Sequence, residues 1–201
     1  MSARPAVFLD RDGVLTELMA DPGSGLPESP LSPDDVRLVP GAAAAARRLR
    51  DDGGYALVGV TNQPAAAKGR LTVARLEEVQ ARVVDLLAAA GVELDGWRMC
   101  LHHPDGVVAE LSGPCECRKP APGMLLDAAR ELELELDRSW IVGDTDADMV
   151  AGRAAGCRTA LIVHPGSAHK RSESAAADLE GPDLNHVSAL VLGFSTDRVA
   201  G

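Results

Sequence analysis

Short apolar runs alternate along the chain with longer segments in which apolar residues recur at helical spacing. The runs at 7–9, 55–63, 96–103, 139–144 and 159–164 predict strands, most of them buried. The segments 42–50, 71–91, 123–134 and 146–156 predict helices, with Thr72 as an N-cap and Gly91 as a stop. Strands that alternate with helices are typical of parallel βαβ units. We therefore predict an α/β fold with a doubly wound parallel sheet and helices on both faces.

Three segments lack this periodicity. Residues 19–33 hold four prolines and two glycines and predict a loop. Residues 106–122 read as irregular, and residues 166–183 as a loop with little regular structure before a short helix over 186–193. We expect one domain over residues 1–201, with a core at about 6–164 and a C-terminal extension at 165–201.

Polar residues follow three of the predicted strands. Asp10 ends the first, Thr61 and Asn62 end the second, and Asp144 ends a later one. In open parallel sheets, ligands bind beyond the carboxyl ends of the strands. The sequence therefore predicts that these side chains share one site.

Asp10 and Asp12 are separated by one residue at the end of a buried strand. Two carboxylates this close repel each other unless a cation compensates. With Asp144 they offer the oxygen ligands that Mg²⁺ prefers beside a phosphate. Alternatively, the pair only caps the next segment, although the agreement of three strand ends disfavours this.

Charge and composition exclude several classes of protein. Acidic residues outnumber basic ones 30 to 20, for a net charge of −10, which disfavours binding to nucleic acid. No apolar stretch approaches the roughly 20 residues that span a bilayer, and the N-terminus has no signal-peptide core. We expect a cytoplasmic protein without a membrane segment. With five aromatic residues, its core must consist of Ala, Val, Leu and Ile.

A second cluster lies between residues 100 and 117. Cys100 and His102 are one residue apart, as are Cys115 and Cys117. Three thiolates and one imidazole match a closed, structural zinc site that would order the loop. A disulfide or independently buried cysteines are the alternatives. The neighbouring His103 is the weaker ligand candidate and is expected to face substrate.

Four motifs occur together: "FLDRDG", "VTNQ", the lysine of "CRKPAPGM" and "VGDTDADM". They cover residues 6–164, and the chain resembles the haloacid dehalogenase (HAD) superfamily of aspartate-nucleophile phosphatases. The resemblance implies a Rossmann-like core, and the cysteine loop resembles that of the small subgroup without a cap domain. Two positions depart from the family pattern: Val14 stands where Thr is common, and Thr145 stands where close relatives often have Lys.

The resemblance also implies the roles of the site residues. Asp10 would be the nucleophile and Asp12 the general acid and base. Thr61 and Lys119 would stabilise the transferring phosphoryl group. Mg²⁺ would be held by Asp10, Asp144 and the backbone carbonyl of Asp12. Asp148 would orient Lys119 or metal-bound water, or would be a surface acid of the helix.

The subgroup acts on small phosphorylated metabolites. The twelve residues between His102 and Cys115 resemble the loop of those subgroup members that act on a heptose bisphosphate. This resemblance implies removal of the 7-phosphate of D-glycero-D-manno-heptose 1,7-bisphosphate. Histidinol phosphate or another small phosphorylated sugar is the alternative substrate. A zinc-stabilised binding module without activity is the non-enzyme alternative. We expect a monomer. The candidate substrate-binding residues are Asn62, Lys68, Arg70, His103 and Arg118.

Overall fold

The computed structural model describes residues 3–21, 23, 25–172 and 176–196. Within these residues the strands are β1 (Ala6–Leu9), β2 (Met19–Ala20), β3 (Pro27–Glu28), β4 (Ala56–Asn62), β5 (Gly96–Cys100), β6 (Trp140–Gly143), β7 (Arg158–Ile162) and β8 (Leu179–Gly181). Six of these described strands form one sheet in the order β5-β4-β1-β6-β7-β8, and every pair in it is parallel. The chain runs outward on one side of β1 and then on the other, so the predicted doubly wound sheet is confirmed.

In the described part of the chain, five α-helices connect or follow these strands. They are α1 (Ala42–Asp51), α2 (Val73–Ala89), α3 (Gly123–Leu132), α4 (Asp146–Ala155) and α5 (Leu184–Thr196). The hydroxyl of Thr72 accepts a hydrogen bond from the backbone N–H of Arg75, as the predicted N-cap requires. The four helices predicted between strands are therefore present, each within a few residues of its predicted bounds.

The sheet carries an apolar layer on each face. Val7 and Leu9 of β1 pack in the cluster that contains buried residues of α1, α2 and α5. Ala6 and Phe8 point to the opposite face, into the cluster formed with α3 and α4. Because successive side chains of a strand alternate between faces, a strand between two helical layers must be apolar throughout.

Two segments that were predicted as loops contain regular structure. Residues 19–33 hold the antiparallel hairpin of β2 and β3. Within 166–183, β8 pairs with β7, after a 3₁₀ helix over Pro165–Lys170. Strands of two or three residues are too short to show periodicity, and pairing with a partner strand defines them. The sheet therefore extends past residue 164, and α5 adds Leu184, Val187 and Val191 to the core.

Among the described residues, the longest apolar helix falls short of what a membrane span requires.

Candidate active site

Asp10 and Asp144 follow neighbouring strands at the centre of the sheet. The N–H of Asp10 donates to the carbonyl of Val142, 2.9 Å away, which fixes the ends of β1 and β6 side by side. Here the strand order reverses, and a crevice opens at the carboxyl ends of the strands. Gly13 has a φ of +86°, and a Cβ there would overlap the Asp144 carboxylate. The glycine after the acidic pair therefore makes room for the third acid.

Lys119 enters this crevice from the segment after the cysteine loop. Its Nζ donates to Oδ1 of Asp10 at 2.7 Å, to Oδ1 of Asp148 at 2.6 Å and to the carbonyl of Val60 at 2.7 Å. The side chain of Asn62 accepts from the N–H of Lys119 at 3.1 Å and donates to its carbonyl at 2.9 Å. Asn62, expected to bind substrate, thus holds the backbone of the lysine.

Asp148 is buried at the first turn of α4. Its Oδ2 accepts from the N–H and the hydroxyl of Thr145, which forms a capping box. Its other oxygen accepts from Lys119. Of the two roles considered for Asp148, the geometry matches the one that orients Lys119, and a surface position is excluded because the residue is 1% exposed.

The carboxylate of Asp12 is turned toward a different set of donors. Its Oδ2 accepts from Nη2 of Arg11 at 3.0 Å, from Ser29 at 2.8 Å and from Nε2 of Gln63 at 2.7 Å. Oδ1 accepts from Thr16 at 2.9 Å. Burial by itself would raise the pKa of Asp12, but the Arg11 guanidinium and these hydrogen bonds hold it below its usual value. Asp12 is therefore held as an oriented carboxylate.

Asp10 and Asp144 have the opposite tendency. Burial, the charge of Asp148 and the charge of Asp12 raise the pKa of Asp10 to about 6, although Lys119 opposes the rise. Burial and the charges of Asp10 and Asp148 raise the pKa of Asp144 to about 8. Burial alone would lower the pKa of Lys119, but the two carboxylates it contacts raise it. One ammonium therefore leaves this group of acids with excess negative charge.

Carboxylate oxygens of Asp10, Asp144 and Asp148 lie within 4.8 Å of one another. Oxygen donors at this spacing suit a hard divalent cation such as Mg²⁺. The Asp12 carboxylate is engaged elsewhere, so that residue would contribute only its backbone carbonyl.

These acids line a pocket of about 300 Å³. Thr61 also lines it, and its hydroxyl accepts from Nε2 of Gln63 at 2.8 Å. The three predicted strand ends therefore meet in one pocket. The pocket is lined by Asp10, Asp12, Leu18, Glu28, Ser29, Thr61, Asn62, Pro64, Lys68, Arg118, Lys119, Asp144, Thr145, Ala147, Asp148 and Lys170.

Of the other candidate substrate-binding residues, two line the pocket, whereas Arg70 and His103 are not among its lining residues. Lys68 and Arg118 line the pocket, and Nη1 of Arg118 donates to the carbonyl of His102 at 3.1 Å. Arg70 forms an ion pair with Asp21 of the hairpin segment. Nδ1 of His103 accepts from the N–H of Asp105 at 3.1 Å. Burial and the charges of Lys68 and Arg118 lower the pKa of His103, so these three side chains lie near one another.

Besides Arg11, Thr16 and Thr145, four polar residues at the site carried no assigned role in the sequence analysis. Gln63 and Ser29 both donate to Asp12. Glu28 and Lys170 line the pocket and form an ion pair of 3.1 Å. Gln63 belongs to the "VTNQ" motif, which the sequence analysis identified. Ser29, Glu28 and Lys170 lie in segments where the sequence analysis found no motif.

The predicted zinc ligands converge on one point. Sγ of Cys115 lies 3.7 Å from Sγ of Cys100 and 3.5 Å from Sγ of Cys117. Nδ1 of His102 lies 3.5 Å from Sγ of Cys117 and 3.9 Å from Sγ of Cys100. Ligands at tetrahedral zinc distances are about 3.8 Å apart. The Sγ atoms of Cys100 and Cys117 are 2.9 Å apart. This is shorter than the distance between two ligands of a tetrahedral zinc ion but longer than the S–S bond of a disulfide, about 2.05 Å. All four cysteines are free. The donor set therefore fits a zinc ion.

Comparisons with known proteins agree with this geometry. Residues 116–187 match a family described as HAD-hydrolase-like. The chain is 42% identical to D-glycero-beta-D-manno-heptose-1,7-bisphosphate 7-phosphatase of Yersinia pestis, over 87% of this chain and 88% of that protein. Its identity to the Escherichia coli K12 enzyme of the same name is 40%, over 87% and 86%.

A solved structure gives the same result. The D,D-heptose 1,7-bisphosphate phosphatase of B. bronchiseptica, in complex with magnesium and phosphate, is 30% identical, with a TM-score of 0.75 over 94% of this chain and 99% of that one. The motifs, the sheet order and these identities point to one conclusion. The chain belongs to the HAD superfamily of hydrolases, in the family of the D-glycero-β-D-manno-heptose-1,7-bisphosphate 7-phosphatases.

Proposed function

We propose that this protein is a Mg²⁺-dependent phosphomonoesterase that removes the 7-phosphate of D-glycero-D-manno-heptose 1,7-bisphosphate through an aspartyl-phosphate on Asp10. One observation carries the proposal: Asp10 and Lys119, distant in sequence, are in contact at 2.7 Å in a pocket that also holds Asp12 and Asp144. Identity of 42% to a phosphatase of that name supports the choice of substrate.

Asp10 acts as the nucleophile in the first step. A carboxylate oxygen of Asp10 forms a bond to phosphorus while the bond from phosphorus to the sugar oxygen breaks. Lys119 orients the Asp10 carboxylate and neutralises charge on the phosphoryl oxygens. Although its pKa is raised to about 6, Asp10 is mostly ionised at pH 7, as a nucleophile must be.

Asp12 handles the proton in both steps. Because the pKa of Asp12 is held low, its carboxylate must first take up one proton when the substrate binds. It then gives this proton to the departing sugar oxygen, and it regains one from the water that attacks the phosphorus of the aspartyl-phosphate. The second step breaks the bond between phosphorus and Asp10 and releases inorganic phosphate. Ser29 and Gln63 hold the Asp12 side chain in place for both transfers.

Asp10, Asp144 and the backbone carbonyl of Asp12 would hold Mg²⁺. The three neighbouring carboxylates have excess negative charge beside a site that must also admit a phosphate dianion. When bound, the cation offsets the repulsion between these charges and the phosphate. Asp148 accepts a hydrogen bond from Lys119 and so orients the ammonium that contacts Asp10.

Zn²⁺ would be held by Cys100, His102, Cys115 and Cys117. Protein atoms would fill all four positions, so the ion would order the loop and take no part in the reaction. Lys119 follows Cys117 by two residues, and Arg118 donates to the carbonyl of the ligand His102. Ordering of the loop would therefore position the side chains of Arg118 and Lys119 at the pocket.

The partner of the site is a small phosphorylated sugar, and the enzyme acts as a monomer in the cytoplasm. The clustered, reduced cysteines suit a reducing compartment. Sedimentation at micromolar concentration tests the oligomeric state.

The experiment that tests this function is a steady-state assay of phosphate release. With Mg²⁺ present, we expect kcat/KM on heptose 1,7-bisphosphate to exceed that on histidinol phosphate by at least about 100-fold, and Asp10→Asn to abolish both activities. Equal or reversed preference would overturn the substrate. A purified, zinc-loaded protein inactive on every phosphomonoester would favour a binding module instead.

A further inference from the structure

The ion pair between Glu28 and Lys170 lies at the pocket and joins two parts of the chain that are 142 positions apart in the sequence. Glu28 belongs to strand β3 of the hairpin, and Lys170 ends the 3₁₀ helix over Pro165–Lys170. Their charged atoms are 3.1 Å apart, and both side chains line the pocket. The catalytic chemistry described above uses neither residue.

The two side chains are partly accessible, with 34% of Lys170 and 39% of Glu28 exposed. An ion pair exposed to this extent contributes little to folding stability. Its position at the pocket therefore calls for a role other than stabilisation. Both charged groups remain within reach of a ligand in the pocket.

The other cations of the pocket have different surroundings. Lys119 already contacts two carboxylates. Lys68 and Arg118 have no carboxylate partner within the described parts of the chain, and both lie near His103. A second phosphate dianion is therefore favoured beside Lys68 and Arg118. Beside Lys170 it would meet the repulsion of Glu28.

We propose that Glu28 and Lys170 are a specificity-determining pair that binds hydroxyl groups of the sugar chain between the two phosphates. The inference rests on the proposed function and adds the residues that select a polyol. A hydroxyl group both donates and accepts hydrogen bonds. The Glu28 carboxylate accepts one from it and the Lys170 ammonium donates one to it, so the neutral pair matches a hydroxyl better than it matches a phosphate.

The wall that carries the pair is anchored next to the reacting groups. Ser29, the residue after Glu28, donates to Asp12 at 2.8 Å. Asp21, near the start of the same hairpin, forms an ion pair with Arg70 from the segment between β4 and α2. These contacts form the hairpin wall before substrate binds, so a hydroxyl near the scissile phosphate meets a positioned partner.

The test compares hydroxylated substrates with counterparts that have the same number of carbon atoms and phosphates but no free hydroxyl groups. One set is heptose 1,7-bisphosphate and heptane-1,7-diol bisphosphate; the other is sorbitol 6-phosphate and hexyl phosphate. For Lys170→Met and Glu28→Gln, we expect KM to rise about 10-fold for the hydroxylated member of each set and to change less than about 2-fold for the other. Arg130→Met, which removes an exposed ion pair on α3, is the matched control.

Each outcome decides the question. If KM rises equally for both members, the pair acts on phosphate or only ties the hairpin to the 3₁₀ helix, and the proposal is wrong. An unchanged KM for all substrates also overturns it. Failure of the heptose substrate alone would overturn the proposed function, while the sorbitol and hexyl phosphates would still report on the pair. Thermal unfolding of each variant separates a folding defect from a binding defect.

Discussion

Nζ of Lys119 and Oδ1 of Asp10 are 2.7 Å apart, although 109 positions separate the two residues in the sequence. The same ammonium contacts Asp148 at 2.6 Å. One cation thus contacts both the proposed nucleophile, Asp10, and Asp148, so the removal of Lys119 leaves both carboxylates without this partner.

Replacement of Lys119 by Met should lower kcat at least about 100-fold, because the nucleophile loses its orienting charge and the phosphoryl group loses a neutralising one. Lys119→Arg keeps the charge without the geometry and should recover only part of the activity. Assays of phosphate release at saturating Mg²⁺ measure both effects. A Met variant with kcat within about 10-fold of the unmodified enzyme would contradict the assigned role.

Asp12→Asn should separate the two chemical steps. Nitrophenolate leaves without a proton, whereas the aspartyl-phosphate still needs a base to activate water. With p-nitrophenyl phosphate we therefore expect a burst of about one nitrophenolate per enzyme, followed by slow turnover. Stopped-flow absorbance and intact-protein mass, which detects the added phosphoryl group, measure it. Absence of both burst and phosphoryl-enzyme would argue against this division of roles.

Stability without added Mg²⁺ should rise as the pH falls from about 8. The pKa of Asp144 is raised to about 8 and that of Asp10 to about 6, so the folded protein binds protons more tightly than the unfolded chain does. The free energy of unfolding then increases on acidification, by at most about 1.4 kcal/mol per pH unit for each group. Asp144→Asn should flatten the upper part of this dependence in urea titrations. A slope equal to that of the unmodified protein in the Asn variant would contradict the prediction.

Cys115→Ser should reduce zinc binding and activity together, because the loop that carries Arg118 and Lys119 loses a ligand. We expect less than one zinc per chain by elemental analysis and a fall in kcat/KM of at least about 10-fold. Cys157→Ser is the matched control, since Cys157 is a buried cysteine that packs in the apolar core and is not among the four candidate zinc ligands. Equal zinc content in both variants would argue against Cys115 as a zinc ligand.

The sequence was sufficient to predict five of the six strands of the sheet and the residues at the centre of the site. The strands before Asp10, Thr61 and Asp144 are continuous apolar runs, and each ends where polar residues begin. Parallel strands present their carboxyl ends at one edge, so local patterns were enough to bring these residues together. The zinc-binding role of the Cys100–Cys117 loop could be predicted for a similar reason, because the spacing of the candidate ligands is a local feature of the sequence.

The remaining features depend on contacts between distant segments. Strand β8 has three residues and exists because β7 pairs with it. Arg70 was expected at the substrate but lies against Asp21, whose partner no local pattern reveals. The wall formed by Glu28, Ser29 and Lys170 has the same origin.

By itself, the sequence determined which residues can perform the chemistry, because carboxylates, an ammonium and thiolates at given strand ends and spacings have few other uses. Only the tertiary structure decided how they are oriented and what surrounds them. The side chains that donate to Asp12 come from three segments of the chain: the loop after β1, the hairpin and the end of β4. The hydrogen bonds from Ser29 and Gln63, which help to hold its pKa low against the effect of burial, form only once those segments pack together.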